Sequence, residues 1–286
     1  MVTFPNIKIN IGLFVTAKRP DGYHNIESVM YPVGWHEAIE IGLRELRPEG
    51  SVPHWEGSTA GLFLYGDKID GPPEKNICLR VVEEVKRLYE LPPFDIHLLK
   101  KLPSGAGLGG GSADAAYLLR LIRDYFQLSI SDSEAVQMLG RLGADCPFFW
   151  HNRPALAFGK GDQLKPIGLN LSGWWIFIVF PGLKIATAEA YAEAVTRPAP
   201  IDLSLIANID VDAWRDVGIS NDFEKWLFPR YPQLAEIKSE LYKSGAAYAS
   251  MSGSGSAVYG LFRDEPPSFA VFENLRTYKE LLRLKQ

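Results

Sequence analysis

Polar and apolar residues alternate at period two in Asn6-Ile7-Lys8-Ile9-Asn10, before the chain turns apolar towards Val15. The pattern predicts a strand over residues 6–15 with one buried face and Asn6, Lys8 and Asn10 together on the other. Arg19-Pro20-Asp21-Gly22 predicts a turn. Residues 24–46 read as further strands interrupted at Gly34 and Gly42, and residues 47–73 as loops and short strands. Residues 76–90 fit an amphipathic helix with Ile77, Val81, Val82, Val85 and Leu88 on one side. Residues 94–99 predict a strand and 113–126 a helix. A second helix over 131–142 opens on Ser131 with Glu134 three residues later, the pattern of a capping box. Residues 154–160 and 174–180 read as strands, 201–228 as mainly helical, and 232–244 as a helix closed by Gly245. Strands at 248–251 and 257–262 flank Ser252-Gly253-Ser254-Gly255-Ser256, and a last helix ends the chain. The mixed order indicates an α+β fold.

Composition narrows the class. The chain has 286 residues, with 47% hydrophobic and 22% charged positions, which suits a globular protein of two domains. A boundary near residue 160 divides it into 1–160 and 161–286. The net charge of −4 gives no reason to expect nucleic acid or an anionic membrane as partner. The two cysteines, Cys78 and Cys146, form no zinc or redox pattern. The N-terminal residues lack the pattern of a signal peptide, and the apolar run 174–180 is too short to span a bilayer. A cytoplasmic protein is expected.

The chemistry concentrates between the strand at 94–99 and the helix at 113–126. There the sequence reads Pro103-Ser104-Gly105-Ala106-Gly107-Leu108-Gly109-Gly110-Gly111-Ser112, with five glycines in seven residues. Glycine permits positive φ and close approach of backbone to a ligand. A loop of this kind feeding a helix N-terminus is an anion site, because unpaired N–H groups and the helix dipole point the same way. Ser112, at the switch from loop to helix, suits an N-cap. Three readings stand beside one another. The P-loop pattern is absent, since Gly159-Lys160 is followed by Gly161. Gly105, Gly107 and Gly110 satisfy a dinucleotide fingerprint, and Asp124 lies about 20 residues on. That aspartate, however, falls within a predicted helix and not at a strand end. The glycines can also simply make a turn. A phosphate cradle for a nucleoside triphosphate accounts for the whole run.

Three separated segments carry a resemblance. They are the strand with Lys8 and Asn10, the loop 103–113, and Met251-Ser252-Gly253-Ser254-Gly255-Ser256-Ala257. Together, and in this order, they resemble the small-molecule kinases named for galactokinase, homoserine, mevalonate and phosphomevalonate kinases (the GHMP kinase family). Asp21-Gly22-Tyr23-His24, Gly143-Ala144-Asp145-Cys146-Pro147 and Ser220-Asn221-Asp222-Phe223-Glu224 are similar to one branch of it. That branch phosphorylates the 2-hydroxyl of a cytidine diphosphate-linked methylerythritol in the non-mevalonate route to isoprenoids. The alternatives are another family kinase acting on a different small alcohol and, from the dinucleotide fingerprint, a dinucleotide-dependent oxidoreductase.

The resemblance implies a two-domain architecture: a ribosomal-protein-S5-like, nucleotide-binding N-terminal domain and a ferredoxin-like, substrate-binding C-terminal domain. It implies ATP with Mg²⁺, and no metal-ligand cluster stands out in the sequence. Asp145 takes the place of the catalytic base, and Lys8 that of the cation that keeps it ionised. From the residues alone, Asp145 equally suits a carboxylate that satisfies turn amides, and Lys8 an exposed strand residue. The loop residues Pro103 to Ser112 fall to ATP, with Asn76 and Lys100 near its adenine. Asn10, Tyr23, His24, Thr187 and Tyr191 fall to the substrate, the aromatic rings offering faces to a cytosine. Tyr191 also suits a helix core. Asn221 and Asp222 match the branch without a role.

Overall fold

The alternation at the N-terminus belongs to a longer strand, and the computed structural model, which describes residues 1–283, is α+β. In chain order the strands are β1 (Val2–Thr3), β2 (Asn6–Lys18), β3 (His24–His36), β4 (Ala38–Leu43), β5 (Trp55–Glu56), β6 (Ala60–Gly66), β7 (Phe94–Lys100), β8 (Ala155–Phe158), β9 (Gln163–Pro166), β10 (Trp175–Phe180), β11 (Tyr248–Met251), β12 (Val258–Phe262) and β13 (Arg276–Leu281). The helices are α1 (Ile77–Lys86), α2 (Gly110–Tyr125), α3 (Asp132–Leu142), α4 (Cys146–His151), α5 (Thr187–Ala192), α6 (Glu224–Arg230) and α7 (Pro232–Lys243). Packing divides the chain into two units built from interleaved segments. The first contains Met1–Ile7, Trp35–Ser104 and Gly109–Asn152; the second contains Lys8–Gly34, Gly105–Leu108 and the chain from Arg153 onward.

The first unit holds a five-stranded sheet in the order β1-β4-β7-β6-β5. β6 and β7 run parallel, which demands a crossover, and α1 supplies it. Cys78, Leu79, Val81, Val82 and Val85 form the buried side of α1. The helix ends at Lys86, so Leu88 lies beyond it and is exposed, against the expectation of a longer helix. Small and aliphatic residues from Ala113 to Ile122 bury α2. Ser131 and Glu134 form the expected capping box at α3. The connection after α3 runs directly into α4, a short helix that the pattern does not reveal.

The second unit holds two four-stranded sheets, β2-β3-β8-β9 and β11-β12-β10-β13. The strands β2 and β3 flank the expected turn at 19–22. β3 runs straight through Gly34 and β4 through Gly42, so neither glycine interrupts a strand. Residues 201–228 are not mainly helical: short 3₁₀ turns at 203–208 and 211–213 precede α6. The expected closing helix is strand β13, paired antiparallel with β10. Leu13, Val15, Phe223, Leu234, Ile237, Leu241, Met251 and Val258 belong to one buried cluster, which joins β2, α6 and α7 to β11 and β12.

Candidate functional site

The glycine loop leaves β7 at Pro103 and Ser104, and residues 105–108 are held within the second unit by three successive carbonyls. Ala257 N–H donates to the Ala106 carbonyl at 3.1 Å, and Lys8 N–H donates to that of Leu108 at 3.0 Å. Between them, the Ser252 hydroxyl donates to the Gly107 carbonyl at 2.9 Å. Gly107 has φ +74°, and a Cβ there would run into the Ser252 carbonyl oxygen. Only glycine fits so close an approach in a left-handed conformation. In the first unit, Gly109, also left-handed at φ +76°, is the N-cap of α2. The helix therefore starts before Ser112, which sits in its first turn and is not the cap. The first-turn N–H groups of Gly110, Gly111 and Ser112 have no acceptor one turn back, which makes them the donors an anion needs.

β2 carries Lys8 and Asn10, and both faces of that strand are buried, where alternation predicted one exposed face. Lys8 is 3% exposed and Asn10 2%. Buried polar groups persist where they are hydrogen-bonded. Lys8 Nζ donates to Asn10 Oδ1. Asn10 Nδ2 donates to Ser28 Oγ at 2.8 Å, and Ser28 Oγ donates to the Gly12 carbonyl at 2.6 Å. Asn10 N–H donates to Ser252 Oγ at 3.2 Å, and Tyr259 Oη donates to the Asn10 carbonyl at 2.8 Å. The lysine side chain thus has a fixed direction. Asn6, on the same face, belongs to the first unit and accepts from Tyr117 Oη at 2.6 Å.

Asp145 stands at the N-terminus of α4, and its side chain makes no capping hydrogen bond there. The next residue ties this point to α2. Burial pushes the Cys146 thiol up to about 11, against a hydrogen bond with Ser112 that lowers it. Asp145 therefore lies beside a residue that touches the first turn of the glycine-loop helix.

Two residues that the resemblance assigned to the nucleotide have structural partners. Asn76 Oδ1 accepts from Cys78 N–H at 2.9 Å and caps α1. Lys100 is buried, with Nζ between Glu37 and Asp114, the latter at 2.8 Å. Glu37 Oε2 also accepts the N–H groups of Lys101 and Leu102, each at 3.2 Å. Burial lowers the Lys100 ammonium, but the two carboxylates outweigh it and hold it above the usual lysine range. Burial drives the Asp114 carboxyl well above the usual range, with Lys100 pulling against it.

Among the aromatic candidates, Tyr23 is 62% exposed, and Lys160 Nζ lies 5.2 Å from its ring centre. His24 stacks on Tyr191 with ring centres 5.2 Å apart and planes 20° apart. Phe223 meets Tyr191 edge-on at 4.8 Å. No base fits between His24 and Tyr191 at that spacing, so Tyr191 backs His24. Burial and nearby Lys18 hold the His24 imidazole below its usual range, which favours the neutral ring. Thr187 is exposed at the start of α5, its hydroxyl 3.4 Å from that of Ser254.

Asn221 and Asp222, to which the sequence assigns no role, are buried. Asp222 accepts from Val15 N–H at 3.1 Å and pairs with Arg197 and Lys225. Burial raises its carboxyl, but the two cations prevail and hold it below the usual range. An acid depressed in the folded state stabilises above its unfolded pKa, and this stability is lost as pH falls through the folded value. Asp222→Asn is expected to flatten the acid side of the stability curve, read as melting temperature against pH.

Three contributors carry no site assignment from the sequence. Ser28 stands in an ordinary strand and gives no local signal. Ser252 belongs to the second glycine segment, whose serines are readable. Lys160 lies in a Gly-Lys-Gly turn whose only sequence signal is an incomplete P-loop pattern. Among the described residues no group of three or more His, Cys, Asp or Glu is set to hold a metal ion. A pocket of about 720 Å³ in the first unit, lined by Trp55, Arg80, Arg87 and Arg141 among others, contains none of the candidate residues.

Comparison with known proteins follows the same segments. Residues 76–153 match the family described as GHMP kinases N terminal domain, and residues 192–280 match GHMP kinases C terminal. The chain is 45% identical over 265 residues to a Bacteroides thetaiotaomicron protein named 4-diphosphocytidyl-2-C-methyl-D-erythritol kinase, covering 93% of each. It is 46% identical over 273 residues to a Porphyromonas gingivalis protein of the same name, again covering 93% of each. A crystal structure of a 4-(cytidine 5'-diphospho)-2C-methyl-D-erythritol kinase superposes with a TM-score of 0.71 at 28% identity, over 91% of this chain and 90% of that one.

Proposed function

Because the chain belongs to the GHMP kinase family, we propose that it transfers the γ-phosphoryl group of ATP to the 2-hydroxyl of 4-diphosphocytidyl-2-C-methyl-D-erythritol. The observation that carries phosphoryl transfer is the glycine loop itself, whose left-handed Gly109 starts α2 and leaves the N–H groups of its first turn for an anion. Asp145, at the start of α4 and without a capping bond there, is read as the carboxylate that serves this phosphate site.

In this reading the N–H groups of the glycine loop bind the phosphates and stabilise the charge that spreads over the migrating group. The acceptor oxygen attacks the γ-phosphorus, its proton passes to Asp145, and ADP leaves. The family resemblance gives Lys8, whose Nζ donates to Asn10 Oδ1, the part of the positive charge in this step. Mg²⁺ would accompany the triphosphate, held mainly by phosphate and water oxygens, and would offset part of the phosphate charge.

The acceptor assignment rests on the named relatives and on the aromatic candidates. A cytosine stacks on an exposed ring face, and Tyr23 and the outer face of His24 are the faces on offer. Tyr23→Ala is expected to raise KM for the cytidine substrate about tenfold, the worth of roughly one stacked base, with KM for ATP unchanged. An unchanged KM for the cytidine substrate would move the base elsewhere. The primary test is ADP release from purified protein with MgATP and each of three acceptors. Release with the cytidine diphosphate alcohol, and none with mevalonate or homoserine, is expected. Release with another acceptor instead would keep the kinase and overturn the substrate.

A further inference from the structure

We propose that Asn221 is a positioning residue for the phosphate loop, holding the second glycine turn in the shape that grips Gly107. This deepens the kinase reading and rests on it. Asn221 Nδ2 donates both of its protons, to the Met251 and Gly253 carbonyls, each at 2.8 Å. Its Oδ1 accepts from Phe223 N–H at 3.0 Å. The two carbonyls flank Ser252, and Ser252 Oγ is the group that accepts from Asn10 N–H and donates to the Gly107 carbonyl. Asn221 therefore fixes the residue on either side of the one hydroxyl that joins the strand of Lys8 to the glycine loop.

The turn needs such an anchor. Between the ends of β11 and β12 its internal backbone bonds run from Ser252 N–H to the Ala257 carbonyl and from Gly255 N–H to the Ser252 carbonyl. Gly253 and Gly255 both have positive φ, which gives the turn many unfolded alternatives. Gly253 also lies so close to Gly107 that a Cβ would sit 3.1 Å from its carbonyl oxygen. Asn221 itself is registered to β2 on both sides. Leu13 N–H donates to the Ser220 carbonyl at 2.9 Å, and Asp222 N–H donates to the Leu13 carbonyl at 2.7 Å. The side chain thus carries the register of β2 across to the turn, and the turn carries it to the loop. Only a terminal amide does this: aspartate has no donor when ionised, and serine has one where two are needed.

The test is titration of MgATP into wild type, Asn221→Ala, Asn221→Ser, Ser252→Ala, the Asn221→Ala/Ser252→Ala double variant and Asp222→Asn, with KM for both substrates. Removing the partner of buried carbonyls predicts about tenfold weaker MgATP binding in Asn221→Ala. Ser252→Ala is expected to match it, and the double variant to be no worse than either single one, since both break one chain of contacts. KM for ATP rises while KM for the alcohol stays. Asn221→Ser lies between wild type and alanine, and gives the reading if the alanine variant unfolds. Asp222→Asn, whose carboxylate touches Val15, Arg197 and Lys225 instead of the turn, loses stability and keeps its MgATP affinity. Wild-type affinity in Asn221→Ala and Asn221→Ser, or additive losses in the double variant, overturns the assignment alone. Wild-type protein that binds no MgATP overturns the kinase reading and the assignment with it.

Discussion

Asp145→Asn is expected to fold as the wild type does and to lose about 10²–10⁴-fold in kcat, the usual worth of a general base. The fold should tolerate it for a specific reason. The carboxylate makes no capping hydrogen bond to α4, so that helix loses no cap when one oxygen becomes an amide. Asparagine keeps the shape and cannot take the proton. MgATP affinity should change little, because the phosphates answer to the loop and to the α2 N-terminus. Single-turnover transfer from bound ATP separates chemistry from binding. Near-wild-type turnover would remove Asp145 from the reaction. Weakened MgATP binding with unchanged transfer would make it a ligand and not a base.

Much of this arrangement is legible in the sequence, and the exceptions have physical causes. The glycine loop is legible because five glycines in seven residues exceed what a turn requires. The capping box at Ser131 and Glu134 is legible because its partners are three residues apart. β13 is not: Arg276 to Leu281 carries strong helix formers, and pairing with β10 overrides that propensity. Lys279 over the Trp175 ring adds a cross-strand contact that no local window contains. β2 misleads in the opposite way. Its alternation is real, but Asn6, Lys8 and Asn10 are satisfied by Tyr117, Ser28 and each other, so the polar face is buried too. Ser112 has the chemistry of a cap because serine prefers that place, yet Gly109 reaches the left-handed conformation first and starts the helix. Partners far apart in sequence decide each of these exceptions but the last.

Lys100→Met is expected to cost about 3–5 kcal/mol of stability, the usual loss when one member of a buried ion pair is removed. Lys100 sits between Glu37 and Asp114, whose side chains are 0% and 2% exposed. Methionine fills the space and leaves two buried carboxylates facing it. Glu37 keeps the Lys101 and Leu102 N–H groups, so the strain falls on Asp114, whose Oδ1 already has no partner. The loss has a pH signature. Without the ammonium that pulls against its burial, the Asp114 carboxyl holds its proton to higher pH in the folded state than in the unfolded one. Acids raised on folding lose stability as pH rises above their unfolded values. The deficit of Lys100→Met should therefore be smaller near about pH 5 than near about pH 8, read by thermal unfolding. Adding Asp114→Asn should return part of it, because one of the opposed charges is gone. A lysine whose work was to touch the adenine would behave otherwise: its removal would weaken MgATP and leave the melting curve and its pH dependence alone. The triad joins the end of β7 to the fifth residue of α2, the two ends of the glycine loop. Loss of stability and some loss of ATP affinity should therefore appear together, and the Asp114→Asn addition should improve both.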